Sequence, residues 1–344
     1  MSSWNELQGE LRERPRHWLV TGAAGFIGSH LVETLLGLDQ RVRGLDDFST
    51  GSRENLADVE SRVGSERFAR FELVEGDIRD PGVCHEAAAG APLVLHQAAL
   101  GSVPRSLADP KTSFEANVDG FVNVVEAARA AGCERFVYAS SSSVYGDHPG
   151  LPKVESEIGE PLSPYAATKR IDEVWARTCF RSYGFPAVGL RYFNVFGPRQ
   201  DPHGPYAAVI PRWIEAVFAG QAPQIFGDGK TSRDFCPVAN AVQANLLAAF
   251  APKDALGRAF NVALGGRTNL TELFEQIRSG LAALGVDCAQ LEAVYEDFRP
   301  GDVRHSLADL STIQDLLGYE PEIDFPSGVR LTLEWFVERK SGER

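Results

Sequence analysis

A tyrosine and a lysine stand four residues apart in a segment that predicts the start of a helix. Ser163 suits the N-cap and Pro164 suits the first helical position, so Tyr165 and Lys169 are predicted to share one helical face. A free phenol has a pKa of about 10, but a nearby ammonium stabilises the phenolate. Lowering that pKa by ~3 units takes about 4 kcal/mol, which a partly dry site with two cations can supply. The pair therefore predicts a tyrosine that accepts a proton at neutral pH.

A glycine triad lies near the N-terminus, between a predicted strand at 18–20 and a predicted helix. Gly22, Gly25 and Gly28 have the spacing GxxGxxG, which allows a tight turn, a close approach of a pyrophosphate, and close packing of helix on strand. Asp46 follows Gly28 by 18 residues, at the end of the second predicted strand, where it can accept both ribose hydroxyls of adenosine. No arginine immediately follows Asp46, so the pattern favours NAD over NADP. A nicotinamide ring would then be the second cation near the tyrosine.

Two polar segments are predicted at the carboxyl edge of the sheet, where ligands bind in parallel α/β folds. The serines at 140–143 follow a predicted strand, and a hydroxyl there can hold an oxygen that gains or loses carbonyl character. Four consecutive serines leave open which of them contributes most. Asp77 and Ile78 follow the third predicted strand and are placed to flank the adenine.

Composition excludes several other classes of function. The chain has 344 residues and a formal net charge of −13, so a basic footprint for nucleic acid is absent. Its five cysteines are widely spaced and form no CxxC pair, which indicates reduced thiols and argues against a zinc site. No apolar run reaches the ~18 residues that a membrane span needs, and the N-terminus lacks a signal-peptide core. We expect a cytoplasmic protein that binds no metal, membrane or nucleic acid.

Strands and helices alternate over the first half of the chain, which predicts βαβ units and a doubly wound α/β fold with a parallel sheet of the Rossmann type. The predicted strands are 18–20, 41–45, 71–74, 93–95, 136–138 and 187–190. The predicted helices are 1–14, 26–36, 117–131 and 163–183. This alternation of strands and helices becomes less regular after Arg191. We predict an NAD-binding domain over 1–190 plus about 234–262, and a smaller α/β substrate-binding lobe over about 191–233 plus 263–344.

Together these motifs resemble those of the extended short-chain dehydrogenases/reductases. The glycine fingerprint, the serines before Val144-Tyr145-Gly146, the Tyr165/Lys169 pair and the segment from Leu190 to Gly197 carry the resemblance, which runs from about residue 1 to 340. Within that superfamily, the chain resembles the UDP-hexose 4-epimerases of the branch that acts on UDP-N-acetylglucosamine. The resemblance implies bound NAD and a UDP-N-acetylhexosamine substrate, which the smaller lobe would hold.

The resemblance also implies a role for each matching residue. Tyr165 would be the base, Lys169 would set its pKa and hold the nicotinamide ribose, and Ser141 would bond the sugar O4. Further cofactor contacts would come from Phe26, Ile27, Gln97, Ala98, Ala99, Asn117 and Phe193. Substrate contacts would come from Gly101, Ser102, Ser142, Ser143, Asn194, Ala208, Val209, Phe226, Arg233, Arg299, Asp302 and Ser306.

Among the substrate residues, the two arginines and one aspartate would hold the charged part of the nucleotide. Arg233 and Arg299 would clamp the diphosphate, because guanidinium forks match phosphate oxygens. Asp302 would bind the uridine ribose. Asn194 and the backbone at Ala208 and Val209 would hold the diphosphate-sugar and uridine, and Phe226 would line the uracil pocket.

The implied reaction is the reversible C4 epimerisation of UDP-N-acetylglucosamine to UDP-N-acetylgalactosamine through a 4-keto sugar, for surface polysaccharide synthesis. Three small residues, Gly101, Ser102 and Ser306, would leave room for the C2 acetamido group. Ser142 and Ser143 stand where 4,6-dehydratases carry an Asp-Glu pair, and UDP-glucuronate decarboxylases typically carry Glu at the second position; both activities are therefore disfavoured.

Several alternatives stay open. UDP-glucose with UDP-galactose, or a UDP-uronate, could be the substrate pair. An NAD-consuming oxidoreductase and a regulator that binds NAD or a sugar nucleotide without chemistry are further alternatives. The helices at 117–131 and 163–183 resemble those that pair into a four-helix dimer interface in this superfamily, so we also predict a homodimer.

Overall fold

Seven parallel strands form the central sheet of a computed structural model that describes residues 4–203, 207–298 and 303–342. The strands are β1 (His17–Thr21), β2 (Arg41–Asp46), β3 (Phe71–Glu75), β4 (Leu93–His96), β5 (Arg135–Ser141), β6 (Ala187–Tyr192) and β7 (Arg258–Val262). Their spatial order is β7-β6-β5-β4-β1-β2-β3, so the order of strands reverses between β1 and β4. All six predicted strands are confirmed, with bounds that differ by one or a few residues. The edge strand β7 was not predicted.

Helices cover both faces of the sheet and continue into the second half of the chain. They are α1 (Trp4–Glu13), α2 (Phe26–Gly37), α3 (Arg53–Val63), α4 (Ser65–Phe68), α5 (Pro81–Ala88), α6 (Val103–Ala108), α7 (Pro110–Phe114), α8 (Gly120–Ala130), α9 (Pro164–Tyr183), α10 (Val209–Phe218), α11 (Val238–Ala249), α12 (Leu270–Ala283), α13 (Ser311–Leu317) and α14 (Phe325–Gly342). Short 3-10 turns lie at Ser142–Tyr145 and Lys253–Ala255.

The two faces of the sheet are buried in two separate hydrophobic clusters, as a doubly wound fold requires. Successive residues of β1 alternate between them: Val20 packs with α2 and α11, whereas Leu19 packs with α5, α8 and α9. The predicted N-terminal helix is confirmed as α1, whose buried Leu7 and Leu11 join the first cluster. The Rossmann-type α/β fold predicted from the sequence is therefore confirmed.

One predicted helix differs in its first turn. The stretch predicted as a helix from Asn117 to Ala131 begins with a π-helical turn, Glu115–Asp119, and becomes α-helical only at Gly120. The wider turn accompanies a buried polar side chain: Asn117 accepts from the Leu100 N–H and donates to the Leu100 carbonyl oxygen, at 2.7 and 3.1 Å. Turns of this kind occur mostly as single insertions in α-helices and are frequent near functional sites.

The remaining elements form a smaller layer with its own core. Three two-stranded pairs join distant segments: Val195–Phe196 with Cys236–Pro237, Ser232–Arg233 with Thr268–Asn269, and Gln224–Phe226 with Val294–Glu296. Helices α10, α12 and α14 surround a third hydrophobic cluster that contains Trp213, Phe274 and Phe336. None of the helices in the described residues is both long and apolar enough to cross a membrane. The domain boundaries given above stay a prediction.

Candidate active site

A cleft of about 520 Å³ opens beyond the carboxyl ends of β1, β2 and β4. This is the point where the strand order reverses, which is where open α/β sheets bind ligands. Residues from several separate segments line the cleft, and fourteen of these residues were predicted as site residues. These fourteen are Gly22, Gly25, Phe26, Ile27, Gly28, Asp46, Asp77, Ile78, Gln97, Ala98, Ala99, Gly101, Tyr165 and Lys169.

The glycine turn leaves a cradle that a larger side chain would fill. Gly22 has a φ of +68°, and a Cβ there would lie 2.8 Å from the Ala98 nitrogen. A Cβ at Gly28 would overlap the carbonyl oxygen of Gly22, and one at Gly25 would lie 3.1 Å from that same oxygen. Because α2 begins at Phe26, its free N–H groups point to this turn. The turn therefore fits the pyrophosphate of a dinucleotide.

Asp46 is held rigidly at the end of β2. Its side chain is buried, its Oδ2 accepts from the Ala24 N–H at 2.8 Å, and its Oδ1 accepts from the Phe48 N–H at 2.8 Å. Burial raises the pKa of Asp46, while the backbone hydrogen bonds oppose that rise. Each carboxylate oxygen keeps a second lone pair for a ribose hydroxyl. The position therefore suits the adenosine ribose.

Arg79 is a cleft residue that the sequence interpretation missed. It follows Asp77 and Ile78 at the end of β3, and its Nε donates to Asp77 Oδ2 at 2.8 Å. This hydrogen bond lowers the pKa of Asp77. Asp77 thereby compensates the positive charge of the Arg79 guanidinium, on the side of the cleft where an adenosine would lie. The place of Arg79 two residues beyond a strand-end aspartate was the available clue.

The helix that carries the tyrosine and lysine begins as predicted. Ser163 caps α9 by accepting from the Ala166 N–H at 3.1 Å, and Tyr165 and Lys169 both line the cleft. Lys169 is buried, and its Nζ donates to Asp172 Oδ2 at 3.2 Å. Asp172 was not among the predicted residues, although it lies seven positions after Tyr165 and so on the same helical face. Burial, which the Lys169 charge opposes, raises the pKa of Asp172 to about 7.

The four serines take different positions. Ser140 lines the cleft and donates to Glu173 Oε1 at 2.6 Å. Ser141 accepts from the Ser143 N–H at 3.1 Å and so caps the 3-10 turn. The Ser143 hydroxyl is buried and has no hydrogen-bond partner in the described residues. Ser141, Ser142 and Ser143 lie outside the cleft lining, so their contact with a sugar stays a prediction.

Two predicted cofactor residues lie behind the cleft rather than in its wall. Asn117 is buried and donates to Thr168 Oγ1 at 3.2 Å, in addition to its bonds with Leu100. Phe193 is fully buried in the cluster that packs on α2, and its N–H donates to the Val262 carbonyl oxygen at 3.0 Å. Both therefore support the cleft from the second layer, and direct contact of their side chains with a cofactor stays a prediction.

The predicted substrate residues lie mostly in the smaller layer. Arg233 Nη1 donates to the Ser232 carbonyl oxygen at 3.1 Å, and the Ser306 N–H donates to the same oxygen at 3.1 Å, so Arg233 and Ser306 are neighbours. Asn194 has a φ of +35° and donates to the Asp234 carbonyl oxygen at 3.2 Å.

The other predicted substrate residues are dispersed. Ala208 precedes α10, which begins at Val209, and Phe226 ends a short strand. Ser102 accepts from the Arg105 N–H at 3.3 Å at the start of α6. Arg299 and Asp302 lie outside the described residues.

A buried network that was not predicted lies beside the cleft. Arg191 Nε and Nη2 donate to the two oxygens of Glu173, both at 2.8 Å, which is a bidentate pair. Arg191 Nη1 also donates to the Tyr145 hydroxyl at 3.0 Å, and that hydroxyl donates to Asn261 Oδ1 at 2.6 Å. The network ties α9, β6 and β7 to the turn after β5, and so holds the helix of Tyr165 against the sheet.

The chain is similar to two sugar-nucleotide 4-epimerases and to a 4,6-dehydratase. UDP-glucose 4-epimerase of Mycolicibacterium smegmatis is 39% identical over 320 residues, which cover 92% of this chain and 97% of that protein. The dTDP-glucose 4,6-dehydratase of Streptomyces griseus is 35% identical over 331 residues, with coverages of 94% and 95%. UDP-N-acetylglucosamine 4-epimerase of Methanobrevibacter ruminantium M1, solved in complex with UDP-N-acetylmuramic acid, is 38% identical with a TM-score of 0.85 and coverages of 95% and 99%.

The match to a family extends over most of the sheet and the cleft. Residues 18–263 match it, from the start of β1 to the end of β7, and so include the glycine cradle, Asp46 and the Tyr165/Lys169 pair. On this match, and on the identities above, the chain belongs to the NAD dependent epimerase/dehydratase family.

Proposed function

We propose that the chain is a UDP-sugar 4-epimerase that uses bound NAD and interconverts UDP-N-acetylglucosamine and UDP-N-acetylgalactosamine. The observation that carries this proposal is a single cleft that combines the glycine cradle and Asp46 with Tyr165 and Lys169. The relatives named above support 4-epimerisation of a nucleotide sugar. The absence of carboxylates at Ser142 and Ser143 argues against the dehydratase alternative, which needs an acid to eliminate the C6 hydroxyl.

The chain's own residues would move one proton and hold the reactants. Tyr165 takes the proton from the sugar O4 and later returns it to O4 on the opposite face of the ring. Lys169 holds the nicotinamide ribose and supplies positive charge beside Tyr165. The chemistry that NAD supplies when bound is the reversible acceptance of one hydride from C4. A 4-keto sugar separates the two halves of the reaction, so C4 inverts without net oxidation.

The smaller lobe would hold the nucleotide firmly and the hexose weakly. Arg233 and Arg299 would clamp the diphosphate, while the hexose turns about the diphosphate linkage to present its other face. Tight binding of the part that does not react and weak binding of the ring is a use of differential binding. We assign this role to about 191–233 plus 263–344, and NAD binding to the rest of the chain.

The choice of an acetylated sugar depends on the volume around C2. Gly101 lines the cleft, and Ser102 and Ser306 are also small. A filled pocket excludes a substrate by overlap, which discriminates more strongly than the loss of one contact. UDP-glucose with UDP-galactose is the second candidate pair, because the Mycolicibacterium smegmatis relative is as similar in sequence as the Methanobrevibacter ruminantium enzyme.

The test is conversion of four substrates by the purified protein without added NAD: the gluco and galacto forms of the acetylated and non-acetylated UDP-sugars. We expect conversion of both acetylated forms without release of NADH, with kcat/KM at least as high as for the other pair. A preference for the non-acetylated pair would move the assignment to UDP-glucose. Stoichiometric NADH release, or no turnover of any of the four by folded protein, would contradict the proposal.

We further propose a homodimer through α9. Three apolar side chains on this helix are 37 to 51% exposed: Ile171, Val174 and Trp175. Exposed apolar groups on one helix are what a paired interface would bury. Light scattering at micromolar concentration should give twice the mass of the chain, and Trp175→Glu should give a monomer. A monomeric wild-type mass would contradict this proposal.

A further inference from the structure

A carboxylate beside the proposed catalytic lysine has no place in the reaction described above. Asp172 is fully buried, and its Oδ2 accepts from Lys169 Nζ at 3.2 Å. Its Oδ1 is buried as well and has no hydrogen-bond partner in the described residues. Tyr165, Lys169 and Asp172 are spaced i, i+4 and i+7, so they follow one face of α9. A buried oxygen without a partner is destabilising, so this position requires an explanation.

The next residue shows what a purely structural buried carboxylate looks like in this helix. Both oxygens of Glu173 are paired, with Arg191 at 2.8 Å on each and with Ser140 at 2.6 Å on one of them. The charge of Glu173 is therefore matched by an arginine that takes no part in the proposed reaction. The charge of Asp172, in contrast, is matched by Lys169, which lines the cleft together with Tyr165.

The titratable groups on the two neighbouring strands are neutral at this point. On β4, burial and then Lys169 lower the pKa of His96 to about 3, so its ring is neutral. On β5, burial raises the pKa of Tyr138 well above its ordinary value, so its phenol is neutral too. Arg105 of α6 lines the same cleft. Asp172 is therefore the group in direct contact that determines how much of the Lys169 charge is already compensated.

We propose that Asp172 is a positioning residue: it fixes where the Lys169 ammonium sits and sets how much of its charge acts on Tyr165. This inference rests on the proposed role of Tyr165 in proton transfer. When Asp172 is charged, its pair with Lys169 is neutral overall and the Tyr165 phenolate receives less stabilisation. When Asp172 is neutral, the ammonium acts on Tyr165 without compensation.

The pH range of this effect follows from burial. Because burial raises the pKa of Asp172 to about 7, its carboxylate loses its charge as the pH falls through neutrality. Asp172 and Tyr165 are two helical turns apart, about 10 Å along the axis. At that separation a buried charge shifts an ionisation by about one pH unit. Removing the charge of Asp172 would therefore stabilise a phenolate at Tyr165 by a comparable amount.

The experiment removes the charge of Asp172 while keeping the shape of its side chain. Asp172→Asn retains an oxygen that accepts from Lys169, and Asp315→Asn removes the same formal charge from an exposed position on α13. Two quantities are measured: the pH profile of kcat, and the ultraviolet titration of the Tyr165 phenolate, taken as the difference between each protein and its Tyr165→Phe form. We expect both midpoints to fall by about one pH unit in Asp172→Asn and to stay unchanged in Asp315→Asn.

Two further variants at position 172 separate the effect of the charge from an effect on folding. Asp172→Glu keeps the charge and should restore the wild-type midpoints, and Asp172→Ser repeats the charge removal if Asp172→Asn does not fold. Unchanged or raised midpoints overturn the proposal, as does a loss of rate and thermal stability at every pH without a shift. The titration needs no turnover, so it still decides the role of Asp172 if no UDP-sugar is epimerised and the proposed function fails.

Discussion

Two regions of the molecule are positioned in different ways. The wall of the proposed dinucleotide cleft comes mainly from short segments that follow strands of one sheet. The predicted sugar-nucleotide residues depend instead on short strand pairs between segments that are distant in sequence. Gly22 comes directly after β1 and Asp46 ends β2, so the sheet places both. Arg233 and Ser306, in contrast, meet at the Ser232 carbonyl oxygen although 73 positions separate the two in sequence. The first region is therefore positioned by regular strand geometry, whereas the second depends on contacts between segments that are distant in sequence.

The most severe change should be a methyl group in the cradle. Gly28→Ala places a Cβ against the Gly22 carbonyl oxygen, so either the turn shifts or α2 moves away from the pyrophosphate position. We expect purified Gly28→Ala to lack bound NAD and all epimerase activity. Gly37→Ala is the matched control, because it lies on the same helix and its Cβ would meet nothing within 4 Å. Retention of NAD by Gly28→Ala would show that the cradle does not hold the pyrophosphate.

The second change tests the substrate side by filling space. Ser306→Tyr should abolish turnover of UDP-N-acetylgalactosamine, with a loss of roughly 100-fold or more, because the ring would occupy the volume that the acetamido group needs. Turnover of UDP-galactose should be spared. The check is kcat/KM for both substrates with the same enzyme preparation. Equal loss of both activities, or equal retention, would contradict the assignment of Ser306 as the open position.

A smaller effect is expected when one phosphate contact is removed. Arg233→Ala should lower kcat/KM for the UDP-sugar by about 30-fold, which corresponds to roughly 2 kcal/mol for a charge-assisted hydrogen bond. Bound NAD should be unaffected, since Arg233 lies outside the cleft lining. Arg330→Ala, which removes an exposed arginine of α14, is the control and should leave kcat/KM unchanged. Loss of NAD from Arg233→Ala would mean that the two regions are not separate.

The same contrast explains how far the sequence could predict this molecule. The strands, the cradle, Asp46 and the cap at Ser163 were predictable because each depends on neighbours in sequence and on the period of one element. Asp172 was not predicted as a site residue, because its importance comes from burial beside Lys169. The burial of Phe193 in the first hydrophobic cluster was not predictable either, since it depends on how the end of β6 lies against β7; its contact with the cofactor stays a prediction.

Arg191 and Glu173 illustrate the same limit. Each is a common charged residue in the sequence, and their bidentate pair forms only because β6 and α9 pack together. The sequence likewise shows four consecutive serines but not their hydrogen-bond partners. Ser140 donates to Glu173, and Ser141 caps a turn. Contacts between elements that are distant in sequence were therefore the part that required the three-dimensional structure.

The proposed function depends most on Tyr165, which would transfer the O4 proton in the cleft that the glycine cradle and Lys169 also line. The most direct measurement is kcat of Tyr165→Phe for UDP-N-acetylgalactosamine, made on protein whose bound NAD is quantified in parallel. We predict a fall of roughly 1000-fold in kcat with the NAD content unchanged, since positioned proton transfer contributes about 100- to 10,000-fold. Full-rate epimerisation by Tyr165→Phe would show that another group transfers the O4 proton.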